Sequence, residues 1–122
     1  MISDSVAGLN VLATSLGRFL DSAEVHLFWD ADISGSSQPY DRLLRGISFT
    51  KGAGPIKVQL ADTLVLTVRG SQENLRTWCT FFAFPSDAKV GDHHHPEYVD
   101  RPGYIDPQSL PVIIEVSDPV SA

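Results

Sequence analysis

The residues of this chain most able to do chemistry are histidines and a carboxylate at close spacing, residues 93–97, with the sequence HHHPE. Alternate residues of an extended chain share a face, so His93, His95 and Glu97 would project to one side. Two imidazoles and a carboxylate can bind Zn²⁺ or Fe²⁺, and His26, the remaining histidine, could join them. No later histidine on a separate strand completes the set. We therefore interpret residues 93–97 as a solvated or partner-contacting surface, with a divalent metal site as the alternative.

Other catalytic patterns are weaker. Cys79 lies in an apolar stripe between Leu75 and Phe82, where burial keeps a thiol protonated and unreactive. Ser109 is not part of a G-x-S-x-G elbow, and the glycines around Gly52 lack the lysine of a P-loop. The sequence therefore offers no assigned catalytic residue, which favours a binding protein over an enzyme, and we expect no cofactor, with a divalent metal at residues 93–97 as the alternative.

Three tyrosines, Tyr40, Tyr98 and Tyr104, lie near prolines in segments rich in aspartate and histidine. Tyrosines on ordered loops are good binding anchors because they offer a large ring and a polar hydroxyl at low cost in entropy. The alternative is that each ring packs against its own domain. We predict a partner surface built from two loops, residues 34–41 and 92–106. Its candidate contact residues are Tyr40, Asp41, His93, His95, Glu97, Tyr98 and Tyr104.

The composition predicts one globular domain over residues 1–122. The chain is 43% hydrophobic, and 15 acidic against 9 basic residues give it a net charge of −6. Phosphate neutralisation needs a cationic surface, so this charge argues against nucleic acid as a partner. A basic protein partner would be attracted by the same charge.

Cysteine usage and hydropathy bear on the compartment. A lone cysteine, Cys79, cannot form an intramolecular disulfide, which favours a reducing cytoplasm. Asp4 stands where a signal peptide would carry basic residues, so we interpret residues 5–17 as a helix of the domain. No apolar run approaches the roughly 18 residues that cross a bilayer, so no membrane span is predicted.

Hydrophobic spacing predicts two helices and several strands. Ser5 and Ser71 are suitable N-caps, and apolar residues recur after each of them at intervals of three and four. In the first strand, Val25 should face the core. Alternating and apolar patterns predict strands at residues 23–30, 44–50, 56–60, 63–69 and 110–116. The fold class is α+β, with two helices packed on one face of a mostly antiparallel sheet.

The two helices also suggest an internal repeat. A single offset carries the Ser5 cap onto Ser71 and superimposes the apolar stripes behind them. Residues 55–58 also match 111–114, at a different offset, and together these matches predict two degenerate helix-strand-strand units at 1–60 and 61–118. The alternative is a pair of independent helices that share the same 3.6-residue periodicity.

Short motifs in both halves carry a family resemblance. The first half contributes residues 7–9 (AGL), 12–13 (LA) and 25–27 (VHL). The second half contributes residues 70–71 (GS) with Leu75, 93–98 (HHHPEY), 103–106 (GYID) and 109–115 (SLPVIIE). With these motifs the chain resembles predicted immunity proteins of bacterial polymorphic-toxin systems, chiefly over residues 70–116. The resemblance implies a cytoplasmic α+β protein that binds and silences a toxin.

Three functional hypotheses follow. We expect a small acidic binding protein, an immunity protein whose partner is a basic toxin. The alternative from another class is a metal-dependent enzyme that uses His93, His95 and Glu97, joined by His26. A third hypothesis is a structural subunit of a homo-oligomer.

Overall fold

A computed structural model describes residues 2–30, 46–61 and 65–117 of the chain. The helices are α1 (Val6–Asp21) and α2 (Gln72–Cys79), and a short 3₁₀ helix (Thr80–Phe82) continues α2. The strands are β1 (Ile2–Asp4), β2 (His26–Asp30), β3 (Gly46–Lys51), β4 (Lys57–Leu60), β5 (Val65–Gly70), β6 (His93–His94) and β7 (Ile114–Val116). The predicted α+β class is confirmed. The loop candidates Tyr40 and Asp41 lie outside the described residues.

Both helices begin at the predicted serine caps. The Ser5 side chain accepts a hydrogen bond from the backbone N–H of Gly8, and Ser71 accepts one from Asn74, each at 3.1 Å. These bonds satisfy backbone donors that have no partner within the first turn. The predicted apolar stripes are buried, comprising Leu9, Leu12, Leu16, Phe19 and Leu20 on α1 and Leu75, Trp78 and Cys79 on α2.

The strands form two sheets rather than the single sheet that was predicted. One has the order β1-β7-β6 and the other β2-β3-β5-β4. Three of the five strand pairs in the described residues are antiparallel, including the predicted β4–β5 hairpin, while β1–β7 and β3–β5 are parallel. Both helices pack on one face of the four-stranded sheet, where Trp78 meets Phe49 and Phe19 lies under Lys51.

The connections of the two halves follow the same pattern. Each helix is preceded by one strand and followed by two strands that pair antiparallel with each other, β2 with β3 and β6 with β7. The leading strands are exchanged, because β1 pairs with β7 of the second half and β5 pairs with β3 of the first. Of these two leading strands, β1 was not predicted from the sequence, whereas β5 coincides with the predicted strand at residues 63–69. β4 has no counterpart in this pattern within the described residues, and the internal repeat stays a prediction.

Two sequence predictions about strands are corrected by the structure. Val25 precedes β2 and is exposed, while Leu27 and Trp29 pack against the core as predicted. The final strand spans only Ile114–Val116 instead of residues 110–116. Pro111 lacks a backbone N–H and cannot donate within a ladder, which limits pairing at that end. No helix in the described ranges is long and apolar enough to cross a membrane.

Two buried acids make the stability of this core sensitive to alkaline pH. Burial raises the pKa of the Cys79 thiol from 9.0 to about 12, and the nearby Arg76 lowers it only in part. Burial likewise raises the pKa of the Tyr104 phenol, against the opposing charge of Arg101. Both groups stay neutral in the fold but ionise in the unfolded chain. As the pH rises above the pKa of each group in the unfolded chain, ionisation stabilises the unfolded chain but not the fold. The free energy of unfolding therefore falls.

We expect the free energy of unfolding to fall progressively as the pH rises above about 9, where these two groups begin to ionise in the unfolded chain. Urea denaturation at about pH 7.5, 9 and 10.5 measures this slope. Cys79→Ala removes one of the two groups, so its stability should fall less steeply over the same range. Equal slopes for both proteins would contradict the assignment to Cys79.

Candidate functional site

The histidine segment is anchored by its middle residue. The His94 ring stacks on Phe84, with centroids 4.2 Å apart and planes 8° from parallel, and its Nδ1 donates to the carbonyl oxygen of Phe81 at 2.8 Å. β6 pairs this residue with Ile114 of β7. His94 therefore holds the segment against the domain. Sequence analysis assigned it no role, although alternation along a strand places it on the face opposite His93.

His93 and His95 come together as predicted, but not on an extended strand. Their ring centroids lie 5.0 Å apart and the planes are nearly perpendicular. Strand pairing ends at His94, and a turn follows in which the backbone N–H of Tyr98 donates to the carbonyl of His95 at 2.9 Å. Proline is favoured in such turns because its φ angle is already fixed, and Pro96 occupies this one. The turn folds Tyr98 back onto the His95 ring, with centroids 4.6 Å apart and an angle of 16°.

Glu97 lies beside this stack. Its Oε2 is 3.8 Å from Nδ1 of His95, while Oε1 is buried and has no hydrogen-bond partner among the described residues. A buried carboxylate oxygen without a donor is uncommon in folded proteins. We call His93, His95, Glu97 and Tyr98 the His–Tyr surface.

The two tyrosines of this region have opposite placements. Tyr98 is 74% exposed and offers the outer face of its ring to solvent. Tyr104 is 1% exposed, so the expectation that it contacts a partner does not fit the structure. Its hydroxyl donates to the carbonyl of Pro96 at 2.7 Å, which fixes the turn from below. Tyr104 thus supports the His–Tyr surface instead of belonging to it.

A buried amide that sequence analysis missed holds the rest of the segment. Asn74 is 8% exposed, and its Nδ2 donates to the carbonyl oxygens of Gly54 and Gly103 at 3.0 and 3.1 Å. Both glycines have positive φ angles, 82° and 73°, which suit glycine and direct these carbonyls at the amide. The Asn74 Oδ1 accepts a hydrogen bond from Arg101 at 2.6 Å. In the sequence, the only sign of this role was the position of Asn74, a polar residue directly before Leu75 of the apolar stripe.

The four predicted metal ligands do not form one group. His26 lies on β2 in the four-stranded sheet, where its ring is 3.1 Å from Thr50 Oγ1. Within the described ranges, no group of three or more histidine, cysteine, aspartate or glutamate residues is arranged to hold a metal ion.

The segment that carries the His–Tyr surface is acidic, and a depression adjoins it. Residues 87–106 contain five acidic against two basic residues, and thus half of the net charge of the chain. An open depression of about 430 Å³ adjoins His93. It is lined by Phe84, Pro85, Gly91, Asp92, His93 and His94. The arrangement combines a fixed, exposed aromatic ring with local negative charge.

Comparisons with known proteins add no assignment. No protein-family model matches the chain, and no curated protein or solved structure matches it significantly. The chemistry of the His–Tyr surface and the motifs described above are therefore the basis for assigning a function.

Proposed function

We propose that this chain is a cytoplasmic binding protein that neutralises a basic protein toxin by direct contact through the His–Tyr surface, as an immunity protein does. The observation that carries the proposal is the exposed Tyr98 ring, stacked on His95 and held in place by buried residues beneath it. The protein needs no catalytic group for this task, because occupying the partner's working surface is sufficient.

The fixed geometry of Tyr98 favours binding over mere solvent exposure. Immobilising a free side chain at an interface costs about 0.5–1.5 kcal/mol. Stacking on His95 imposes much of this cost during folding, before any partner arrives. Large rings with a polar end are enriched among the residues that dominate binding energies. Tyr98 is thus suited to be the central anchor of an interface.

The charge of the region favours a basic partner. The net negative charge of residues 87–106 and of the whole chain would accelerate encounter with a cationic protein and disfavour nucleic acid. Glu97 has one buried oxygen without a donor among the described residues. A lysine or arginine near its Oε2 would form a charge-assisted hydrogen bond, which is stronger than one between neutral groups.

The proposal predicts that Tyr98→Ala weakens binding to the partner by about 30-fold or more, the loss of about 2 kcal/mol typical of a central anchor. The partner is first isolated from the host with a tag that contains no histidine, then purified and titrated calorimetrically. Phe28→Ala is the matched control, since Phe28 is an exposed aromatic residue on β2, at 43% exposure. The control should bind with unchanged affinity.

Two results would count against the proposal. One is equal affinity of Tyr98→Ala and the parent protein for a stoichiometric partner. The other is a metal-bound protein with no partner: untagged protein would carry about one metal ion per chain and would lose it on His95→Ala. Such a loss is expected of a zinc site, which needs three or four ligands. That second result would support a metal-dependent enzyme centred on His93, His95 and Glu97.

A further inference from the structure

A second polar depression lies along the exposed side of α2. It has a volume of about 610 Å³ and is open to solvent. Its lining contains two arginines and one acidic residue, and comprises Gln72, Glu73, Arg76, Thr77, Thr80 and Arg101. These residues are separate from those of the His–Tyr surface, so the depression is a distinct feature of the molecule.

Arg101 is held rigidly at the edge of this depression. Its Nη2 donates to Asn74 Oδ1 at 2.6 Å and to Thr77 Oγ1 at 3.2 Å. Its guanidinium carbon lies 5.1 Å from the centroid of the Tyr104 ring. Both hydrogens of Nη2 are used by these bonds. Nη1 and Nε make no hydrogen bond within the described part of the chain, and so remain available to a ligand.

The positive charge of Arg101 is not neutralised by its partners. Asn74 and Thr77 are neutral, and Arg101 forms no ion pair with a described carboxylate. A half-buried cation without a counterion is stabilised by an anion that reaches it. Proteins that need an arginine only for structure more often satisfy it with a carboxylate, which would cancel the charge.

Arg76 supplies a second cation to the same depression. Its Nη2 donates to Asp21 Oδ1 at 2.8 Å, but both side chains are exposed. Such surface pairs contribute only about 0–1 kcal/mol, so an incoming anion can compete for this guanidinium. The hydroxyls of Thr77 and Thr80 already donate to helix carbonyls. The N–H donors for a ligand must therefore come chiefly from the two arginines.

We propose that Arg101 and Arg76 form a binding site for an oxyanion group, either a carboxylate or a phosphate. A planar guanidinium presents paired N–H donors that match the spacing of two oxygens on such a group. Arg101 makes the main contact because its side chain is already oriented by Asn74 and Thr77. Arg76 adds a second positive charge from α2. This site is independent of the proposed toxin-binding function.

The test is a titration of the ¹⁵N-labelled full chain with sodium phosphate and, separately, with sodium acetate at constant ionic strength. We expect saturable chemical-shift changes at the Arg101 side chain and at the amides of Thr77 and Thr80. Arg101→Lys should weaken binding at least about tenfold, because an ammonium lacks the paired donors. Arg76→Gln should weaken it about threefold through loss of charge. Arg69→Gln, an exposed arginine on β5, is the control and should change nothing.

The two anions distinguish the sources of the ligand group. Binding of phosphate alone indicates a phosphorylated ligand, binding of acetate alone indicates a carboxylate, and binding of both supports a general oxyanion site. Shifts that stay linear up to about 50 mM with both anions would overturn the proposal, because neither oxyanion would then bind measurably. So would unchanged affinity in both Arg101→Lys and Arg76→Gln. Arg76 is exposed, so its variant remains informative even if Arg101→Lys unfolds.

Discussion

Trp78→Ala should lower the free energy of unfolding by about 3–5 kcal/mol, because Trp78 is the largest fully buried side chain among the described residues. Trp78 is 1% exposed and makes edge contacts with two rings, at 6.3 Å from Phe49 and 5.7 Å from Phe82. These contacts join α2 to the four-stranded sheet and to the 3₁₀ helix. Alanine would leave a cavity among rigid rings that cannot collapse to fill it.

Urea denaturation followed by circular dichroism measures this loss, with Tyr98→Ala as the control. Both substitutions remove a large aromatic side chain, but Tyr98 is exposed, so its loss should cost less than about 1 kcal/mol. The same control shows that weaker partner binding by Tyr98→Ala does not result from unfolding. A loss below about 1.5 kcal/mol for Trp78→Ala would contradict the packing described for this core.

Asn74→Ala should lower the free energy of unfolding by about 2–4 kcal/mol, although it removes only one small polar side chain. Each buried group left without its partner costs about 1–3 kcal/mol. Three groups lose a partner here, namely the carbonyls of Gly54 and Gly103 and the guanidinium of Arg101. The Gly54 carbonyl keeps the backbone N–H of Ser71 and Arg101 keeps Thr77, so the Gly103 carbonyl loses most. Solvent reaches both glycines and moderates the total.

Denaturation and amide exchange distinguish this effect from a general loss of stability. The amide of Tyr104 should exchange faster in Asn74→Ala than global unfolding explains, because the adjoining Gly103 carbonyl has lost its donor. Gln59→Ala, an exposed amide on β4, is the matched control and should change stability by less than about 0.5 kcal/mol. A similarly small effect for Asn74→Ala would show that water replaces the amide without cost.

Local signals predicted the helices well, whereas long-range pairing was not predictable. Ser5 and Ser71 act on donors within one turn, so their capping role is visible in a few residues of sequence. β1 is three residues long and carries two polar residues, ISD, so no alternation marks it as a strand. It exists because β7 offers a parallel partner from the other end of the described chain. The division into two sheets depends on that pairing.

For the candidate site, residue identities were predicted better than their orientations. His93, His95, Glu97 and Tyr98 do lie together, but a turn at Pro96 produces the cluster where an extended strand was expected. The inward roles of His94 and Tyr104 depend on groups that are distant in sequence or concealed by folding, such as the Phe84 ring. Spacing alone does not distinguish an exposed ring from a buried one.

The exchange of leading strands has a consequence during synthesis on the ribosome. β1 is the first described strand to emerge, yet Ile2 pairs with Ile114, so its partner is among the last described residues to be made. Contacts so far apart in sequence form slowly, because a long loop must close before they contribute. A nascent chain stopped before β7 would carry β1 with no parallel partner and would lack the buried side chains of Ile114 and Val116. Folding of the two halves is therefore expected to be a single concerted event that waits until β7 has been synthesised.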